Sequence, residues 1–152
     1  MDYVIRPLTE KDEPLLWEML YQGLRKGDEE PSPPADIVKT PEMSRYVANW
    51  GQPGDSGFAA YDTQKGHPIG AAWLRECNAT DAPPELALAV RPGHRRRGIG
   101  AALLTQWVKA NPEQSAVSLA VSAKNPAVRL YERFGFKVVS EKPGSVTMQR
   151  EV

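Results

Sequence analysis

Residues 85–100 read ELALAVRPGHRRRGIG, an apolar segment followed by a basic turn and two closely spaced glycines. The first six residues predict a buried strand over Glu85–Val90, which the proline two positions later ends. A helix is expected from about Gly98, because apolar residues then recur at helical spacing up to Pro112. Glycines at a helix N-terminus let unpaired backbone N–H groups approach an anion closely, and the neighbouring arginines add positive charge. The segment therefore predicts a phosphate site, most naturally for a pyrophosphate, although it lacks the Gly-Lys-Ser/Thr of a Walker A loop.

Apolar periodicity on either side of this segment predicts the other elements of the fold. The downstream elements alternate between helix and strand and end in a pair of strands: Gly98–Ala110, Val117–Val121, Pro126–Phe134, Phe136–Ser140 and Ser145–Arg150. The upstream elements are a strand, two helices and a hairpin: Tyr3–Leu8, a helix N-capped by Thr9 that reaches about Gly23, a short helix from Thr40 to Trp50, then Ser56–Tyr61 and Ile69–Arg75. The order β-α-α-β-β-β-α-β-α-β-β predicts an α/β (α+β) domain with a mixed central sheet and helices on its faces.

The composition is that of an ordinary globular protein. The 152 residues suit a single domain over 1–152, and the hydrophobic and charged fractions, 41% and 25%, are near average. Nineteen basic and nineteen acidic side chains give no net charge, which excludes a nucleic-acid binder that relies on bulk positive charge. Cys77 is the only cysteine, so an internal disulfide and a cysteine-based metal cluster are excluded, and no metal is expected. The chain shows no signal-peptide pattern and no apolar run of membrane-spanning length, so a cytoplasmic protein is expected.

A second motif lies downstream of the basic turn, where Asn125–Phe136 reads NPAVRLYERFGF. The Arg-x-x-Gly-x-Gly of Arg95–Gly100 and the Asn, Ala, Tyr and Gly-Phe of this second motif resemble the GNAT superfamily of N-acetyltransferases. Ile5–Leu8 is also similar to a common opening of such chains. The resemblance implies a mostly antiparallel central sheet flanked by helices, with acetyl-CoA as the co-substrate.

The resemblance also implies which residues contact acetyl-CoA. It assigns the pantetheine arm to backbone groups at the end of the strand, namely Leu88, Ala89 and Val90. It assigns the pyrophosphate to the turn and the start of the helix, namely Arg95, Arg96, Arg97, Gly98, Ile99 and Gly100. Near the thioester it implies a contact from Asn125 and a hydrogen bond or a proton from Tyr131 to the departing thiolate. The residues by themselves leave alternatives open: a solvated basic turn, a helix N-cap at Asn125 and a core position for Tyr131.

The second catalytic candidate is Glu85. An amine with a pKa near 10.4 must lose a proton before it attacks a thioester, at a cost of about 4–5 kcal/mol at pH 7, so a base is useful. Glu85 lies on the strand that the resemblance assigns to the cofactor arm, although a charge at a strand edge is the alternative interpretation. Some relatives that acetylate peptide N-termini carry a glutamate on the following strand, where this chain has Ala120. Full proton transfer from Tyr131 to a thiolate is uphill by about 2 kcal/mol, which favours a hydrogen bond.

These observations predict an N-acetyltransferase that moves an acetyl group from acetyl-CoA to a primary amine of a small molecule or peptide. Direct attack in a ternary complex is expected, since Cys77 lies outside both motifs. The alternatives are a non-catalytic acyl-CoA-binding or sensor domain and, with Arg91–Arg97, a nucleic-acid module that lacks interleaved aromatic residues. The acidic run Asp28–Glu30 can attract a cationic amine or be solvated, so the acceptor stays open. A homodimer is implied by the resemblance alone, and no membrane or nucleic-acid partner is expected.

Overall fold

A computed structural model describes residues 3–25, 32–76, 83–112, 116–122 and 127–151. Within these ranges the strands are β1 (Tyr3–Pro7), β2 (Ser56–Asp62), β3 (Pro68–Arg75), β4 (Glu85–Val90), β5 (Ala116–Ser122), β6 (Lys137–Lys142) and β7 (Ser145–Glu151). The α-helices of the same ranges are α1 (Glu13–Leu24), α2 (Pro41–Ser44), α3 (Ile99–Ala110) and α4 (Ala127–Arg133). Short 3-10 helices cover Ala35–Lys39 and Pro92–His94.

The strands form one sheet in the order β1-β2-β3-β4-β5-β7-β6. Every neighbouring pair is antiparallel except β4 and β5, which are parallel. The prediction of a mixed, mostly antiparallel sheet flanked by helices is therefore confirmed, including the hairpin of β2 and β3. The parallel pair lies in the middle of the sheet, and α3 provides the connection between its two strands.

Helices cover both faces of the sheet because side chains on a strand alternate between the faces. On one face, α1 buries a stripe at helical spacing, Leu16, Met19 and Leu20, against small strand residues such as Ala89. On the other face, α3 buries its own stripe, Leu103, Leu104 and Trp107. The strand β4 lies between the two cores and contributes side chains to both of them.

Two upstream helices differ from their predicted bounds. The prediction of Thr9 as the N-cap of α1 is wrong, because the helix begins at Glu13. The Asp12 carboxylate accepts the Thr9 N–H at 2.7 Å, so residues 9–12 form a separate turn before the helix. The short helix predicted to reach Trp50 ends as an α-helix at Ser44. Beyond it the chain continues in tighter turns, in which the Trp50 N–H donates to the carbonyl three residues back, and Trp50 is nevertheless buried.

Candidate active site

A gap opens in the middle of the sheet between the parallel strands β4 and β5. Among the described residues, the register of these strands contains one pair, Glu85 with Ser118. The Ser118 N–H donates to the carbonyl of Pro84 at 2.9 Å, which closes the gap at this end. Towards their carboxyl ends the strands are no longer paired. We call the space between residues 86–90 and 119–122 the β4–β5 gap.

The strand register determines which backbone groups of β4 face this gap. The Arg91 N–H donates to Ile69 of the neighbouring hairpin at 2.9 Å, and Ala89 lies opposite Ala71. Since peptide groups alternate in direction along an antiparallel pair, the N–H and C=O of Ala89 point to β3. The N–H and C=O of Leu88 and Val90 therefore point towards β5. Sequence reasoning treated the three residues alike, whereas the structure directs two of them into the β4–β5 gap.

The N-terminus of α3 lies beside the open end of the gap. A Cβ added to Gly100 would lie 3.5 Å from the Leu88 side chain, so the helix begins directly against β4. The Ala102 N–H makes the first helical bond, to Gly98 at 3.0 Å, and no side chain caps the helix in the part of the chain that the structure describes. The preceding N–H groups, those of Ile99, Gly100 and the next residue, have no acceptor within the helix and form its positive end. Such a helix end binds anions.

The backbone conformation at position 98 favours glycine. Its φ of 80° lies in the left-handed region, which glycine adopts without strain. A Cβ added there would meet no atom within 4 Å, so the space in front of the helix end is open. Arg96 also has a left-handed φ, 63°, so the turn is tightly coiled just before the helix.

The arginines of the turn divide into two kinds. Arg91 and Arg95 are anchors, since their guanidiniums bind the elements around the turn. Arg91 donates to Pro68 O and to the Glu18 carboxylate, both at 2.6 Å. Arg95 donates to Val90 O at 2.9 Å and to the last turn of α1 at 3.0 Å. The side chains of Arg96 and Arg97 are exposed beside the helix end.

The electrostatics of the turn are positive. Burial lowers the pKa of His94, and the charge of Arg97 lowers it further, so the imidazole stays neutral at pH 7. The neighbouring Arg91 acts in the same direction. The turn therefore has a positive electrostatic potential, which favours the binding of an anion.

Tyr131 lies on α4, 6% exposed, and its ring meets Phe136 edge to face at 5.7 Å between centroids. A Cβ on Gly100 would lie 3.4 Å from Leu130, so α4 also borders the start of α3. Burial raises the pKa of the Tyr131 phenol, which keeps it protonated as a hydrogen-bond donor at neutral pH. No other described residue hydrogen bonds to this hydroxyl. Asn125, the other residue predicted near the thioester, lies outside the described residues, as do Cys77 and the acidic run Asp28–Glu30.

Glu85 lies at the closed end of the gap, on the face of the sheet that carries α1. Arg45 donates to both of its carboxylate oxygens, at 2.6 and 3.2 Å. The Tyr46 hydroxyl donates to the same carboxylate, and Arg45 also stacks over the Tyr46 ring at 4.3 Å. Burial, reinforced by the hydrogen bond to the Glu85 carboxylate, raises the pKa of Tyr46. We call Arg45, Tyr46 and Glu85 the acceptor-side cluster.

Sequence reasoning missed Arg45 and Tyr46, which lie about forty positions from Glu85. Two side chains of β3 hold the backbone around Arg45 and Tyr46 in place. Trp73 donates its indole N–H to Tyr46 O at 2.9 Å. Arg75 donates to the carbonyls of residues 45, 48 and 49 and forms a buried ion pair with Asp55 at 3.2 Å. No local pattern in the sequence reports such contacts between distant segments.

The comparison with protein families decides the assignment. The model of the acetyltransferase (GNAT) domain matches residues 53–138, which include β2 to β5 and the whole basic turn. The chain belongs to the GNAT family of acetyltransferases. The resemblance seen in the sequence is thus confirmed. No curated protein sequence matches this GNAT chain significantly.

Solved structures share the fold at low sequence identity. The PaiA N-acetyltransferase from Thermoplasma acidophilum in complex with coenzyme A is 20% identical, with a TM-score of 0.69 over 100% of both chains. The ribosomal-protein-S18-alanine N-acetyltransferase from Escherichia coli is 20% identical, with a TM-score of 0.66 over 99% of this chain and 94% of that one. A phosphinothricin acetyltransferase from Sinorhizobium meliloti in complex with acetyl-CoA is 21% identical, with a TM-score of 0.68 over 100% of this chain and 89% of that one. In the described part of this GNAT protein, every helix is too short or too polar to span a bilayer.

Proposed function

We propose that this GNAT protein transfers an acetyl group from acetyl-CoA to a primary amine by direct attack in a ternary complex. The observation that carries the proposal is the β4–β5 gap, which joins an anion-binding helix end to a carboxylate. Val90 and Glu85 are five residues apart, which corresponds to roughly 17 Å along a strand. A slot of this kind suits an extended arm with a diphosphate at one end and a thioester at the other.

The diphosphate is assigned to the start of α3. The N–H groups of Ile99 and Gly100 would donate to its oxygens, with Gly98 leaving the approach open and the exposed Arg96 and Arg97 adding charge. Arg95 would act through its backbone, because its guanidinium binds Val90 O and the end of α1.

The pantetheine arm is assigned to β4. Its amides would pair with the N–H and C=O of Leu88 and with the N–H of Val90, which face the gap, because the Val90 carbonyl already accepts from Arg95. Ala89 would support the arm indirectly, by packing β4 against α1. A Cβ added to Gly23 of α1 would lie 2.8 Å from the Ala89 methyl group. Asn125 remains proposed as a contact near the thioester.

The chemistry requires two protons to leave an ammonium acceptor, one before attack and one as the amide forms, and a charge to be stabilised on sulfur. The neutral amine nitrogen forms a bond to the acetyl carbon, the carbon–sulfur bond breaks, and its electron pair goes to sulfur, which takes up the second proton. Glu85 is proposed as the acceptor of the first proton, directly or through water. Tyr131 is proposed to donate a hydrogen bond to the thiolate, a role that suits a phenol kept protonated by burial.

Binding and turnover can be tested separately. Acetyl-CoA at about 100 times its Kd should stabilise the protein by about 2.7 kcal/mol, a rise in Tm of about 5–11 °C for a chain of this size. Release of free thiol with a panel of amines then measures transfer. Binding without transfer to any amine would support the acyl-CoA sensor instead, and no binding of CoA or acetyl-CoA would overturn both functions. A single domain over 1–152, the cytoplasmic location and a homodimer stay predictions.

A further inference from the structure

The acceptor-side cluster contains an ion pair whose two members differ in exposure. The Arg45 side chain is 50% exposed and that of Glu85 is 16% exposed. Glu85 is also held by the more buried hydroxyl of Tyr46. An incoming ammonium group that approaches Glu85 from solvent therefore meets the Arg45 guanidinium first.

The surroundings fix the backbone of this cluster, whereas the Arg45 guanidinium lies at the surface, where its Nε–H donates to Glu42 O at 3.1 Å. Trp73 and Arg75 hold the backbone carbonyls around Tyr46 from β3. The Arg45 side chain extends from this fixed backbone on a flexible stem at the surface. Displacement of its guanidinium from Glu85 also separates it from the Tyr46 hydroxyl, to which it donates at 2.9 Å, and leaves the contacts of Trp73 and Arg75 with the backbone in place.

We propose that the acceptor is a zwitterion, an amine that carries a carboxylate within a few bonds, as α-amino acids do. The inference rests on the proposed function and specifies its substrate. The ammonium of the acceptor replaces the Arg45 guanidinium on Glu85, and the acceptor's carboxylate binds the displaced Arg45. One internal ion pair is exchanged for two pairs with the ligand.

The charge balance makes this arrangement selective. An amine without a carboxylate would place its positive charge beside a guanidinium that has lost its partner, and such like-charge contacts are unfavourable. A zwitterion compensates both Arg45 and Glu85. After binding, the ammonium lies next to the carboxylate that is proposed to take its proton.

The test compares each α-amino acid with its decarboxylated amine, so that the side chain and the amine stay the same. In the wild type, kcat/KM should favour the amino acid by about tenfold to a hundredfold for the best pair, as expected for a charged hydrogen bond. Arg45→Gln should abolish this preference, Arg45→Lys should keep part of it, and Arg6→Gln on the distant edge strand should leave it unchanged. Thermal shifts with the same compounds, with and without CoA, give a readout independent of turnover.

The outcomes separate the two proposals. Acetylation of amines with no preference for the carboxylate, or a preference that Arg45→Gln leaves intact, would overturn the zwitterion inference and leave the proposed function standing. Absence of thiol release with every amine, combined with no binding of acetyl-CoA, would overturn both. Loss of the amino-acid thermal shift in Arg45→Gln but not in Arg6→Gln would support the inference, and this measurement of binding does not depend on turnover.

Discussion

Replacement of Arg75 by methionine should destabilise the fold and loosen the acceptor side of the site. The Arg75 and Asp55 side chains are 13% and 4% exposed, and their ion pair spans 3.2 Å. Methionine keeps most of the aliphatic stem but leaves the buried Asp55 carboxylate without its cation. Removal of one partner of a buried pair costs about 3–5 kcal/mol. Taking 3 kcal/mol, and about 2–4 °C per kcal/mol for a chain of this length, Tm should fall by roughly 6–12 °C.

Thermal unfolding of four proteins measures this: the wild type, Arg75→Met, Asp55→Asn and the double variant. Asparagine retains an oxygen that can accept the N–H groups of Gly51 and Gln52, now bound by Asp55 at 3.0 Å. The double variant should therefore lose less than the sum of the single losses, by about 0.5–3 kcal/mol. Arg6→Met at the exposed edge strand is the matched control and should shift Tm little.

The same variant connects the turn after α2 to function. Without Arg75, the carbonyls of residues 48 and 49 lose the hydrogen bonds that Arg75 donates, so Arg45 and Tyr46 are less firmly placed over Glu85. We expect a lower kcat/KM for the amine with an unchanged affinity for acetyl-CoA. A Tm of Arg75→Met within 2 °C of the wild type, or strictly additive losses in the double variant, would show that the Arg75–Asp55 ion pair does not stabilise the fold.

Three further predictions concern the cofactor side and the proton path. Tyr131→Phe should lower kcat about tenfold or more with an unchanged Kd for acetyl-CoA, because a donor to the thiolate is lost and the buried ring is kept; equal kcat would remove Tyr131 from the mechanism. Glu85→Gln should lower the rate most at low pH, where the amine is hardest to deprotonate, and an unchanged pH–rate profile would exclude Glu85 as the base. Gly98→Ala places a side chain on a residue with a φ of 80°, which should cost about 1–2 kcal/mol of stability and should weaken CoA binding, as measured by calorimetry. Gly144→Ala, at a φ of 81° in the distant hairpin, should cost a similar amount of stability and leave CoA binding unchanged. Equal CoA affinity in both glycine variants would contradict the assignment of the helix end.

The elements that the sequence predicted well are those with their own periodicity. The strand Glu85–Val90 has the predicted bounds, and the helix that follows begins one residue after the predicted Gly98. In both, the apolar residues that form the core also produce the pattern. Thr9 was misassigned because a neighbouring carboxylate, that of Asp12, binds its N–H and forms a turn ahead of the helix.

The site was predictable only as far as local motifs extend. The turn and helix start around Gly98 are contiguous in sequence, so the arrangement proposed to bind the diphosphate follows from residue order. The strand register decides that Leu88 and Val90 face the gap while Ala89 faces the hairpin, and a run of apolar residues does not reveal register. The contact of Arg45 with Glu85 depends on packing between segments forty positions apart, which no periodicity encodes.

A crystal structure of the complex with CoA would show directly whether the β4–β5 gap and the start of α3 bind the cofactor. We expect the diphosphate within hydrogen-bonding distance of the N–H groups of Ile99 and Gly100, with the pantetheine amides bound to Leu88 and Val90 between β4 and β5. CoA bound at another surface, or a β4–β5 gap that closes and excludes the pantetheine arm, would contradict it.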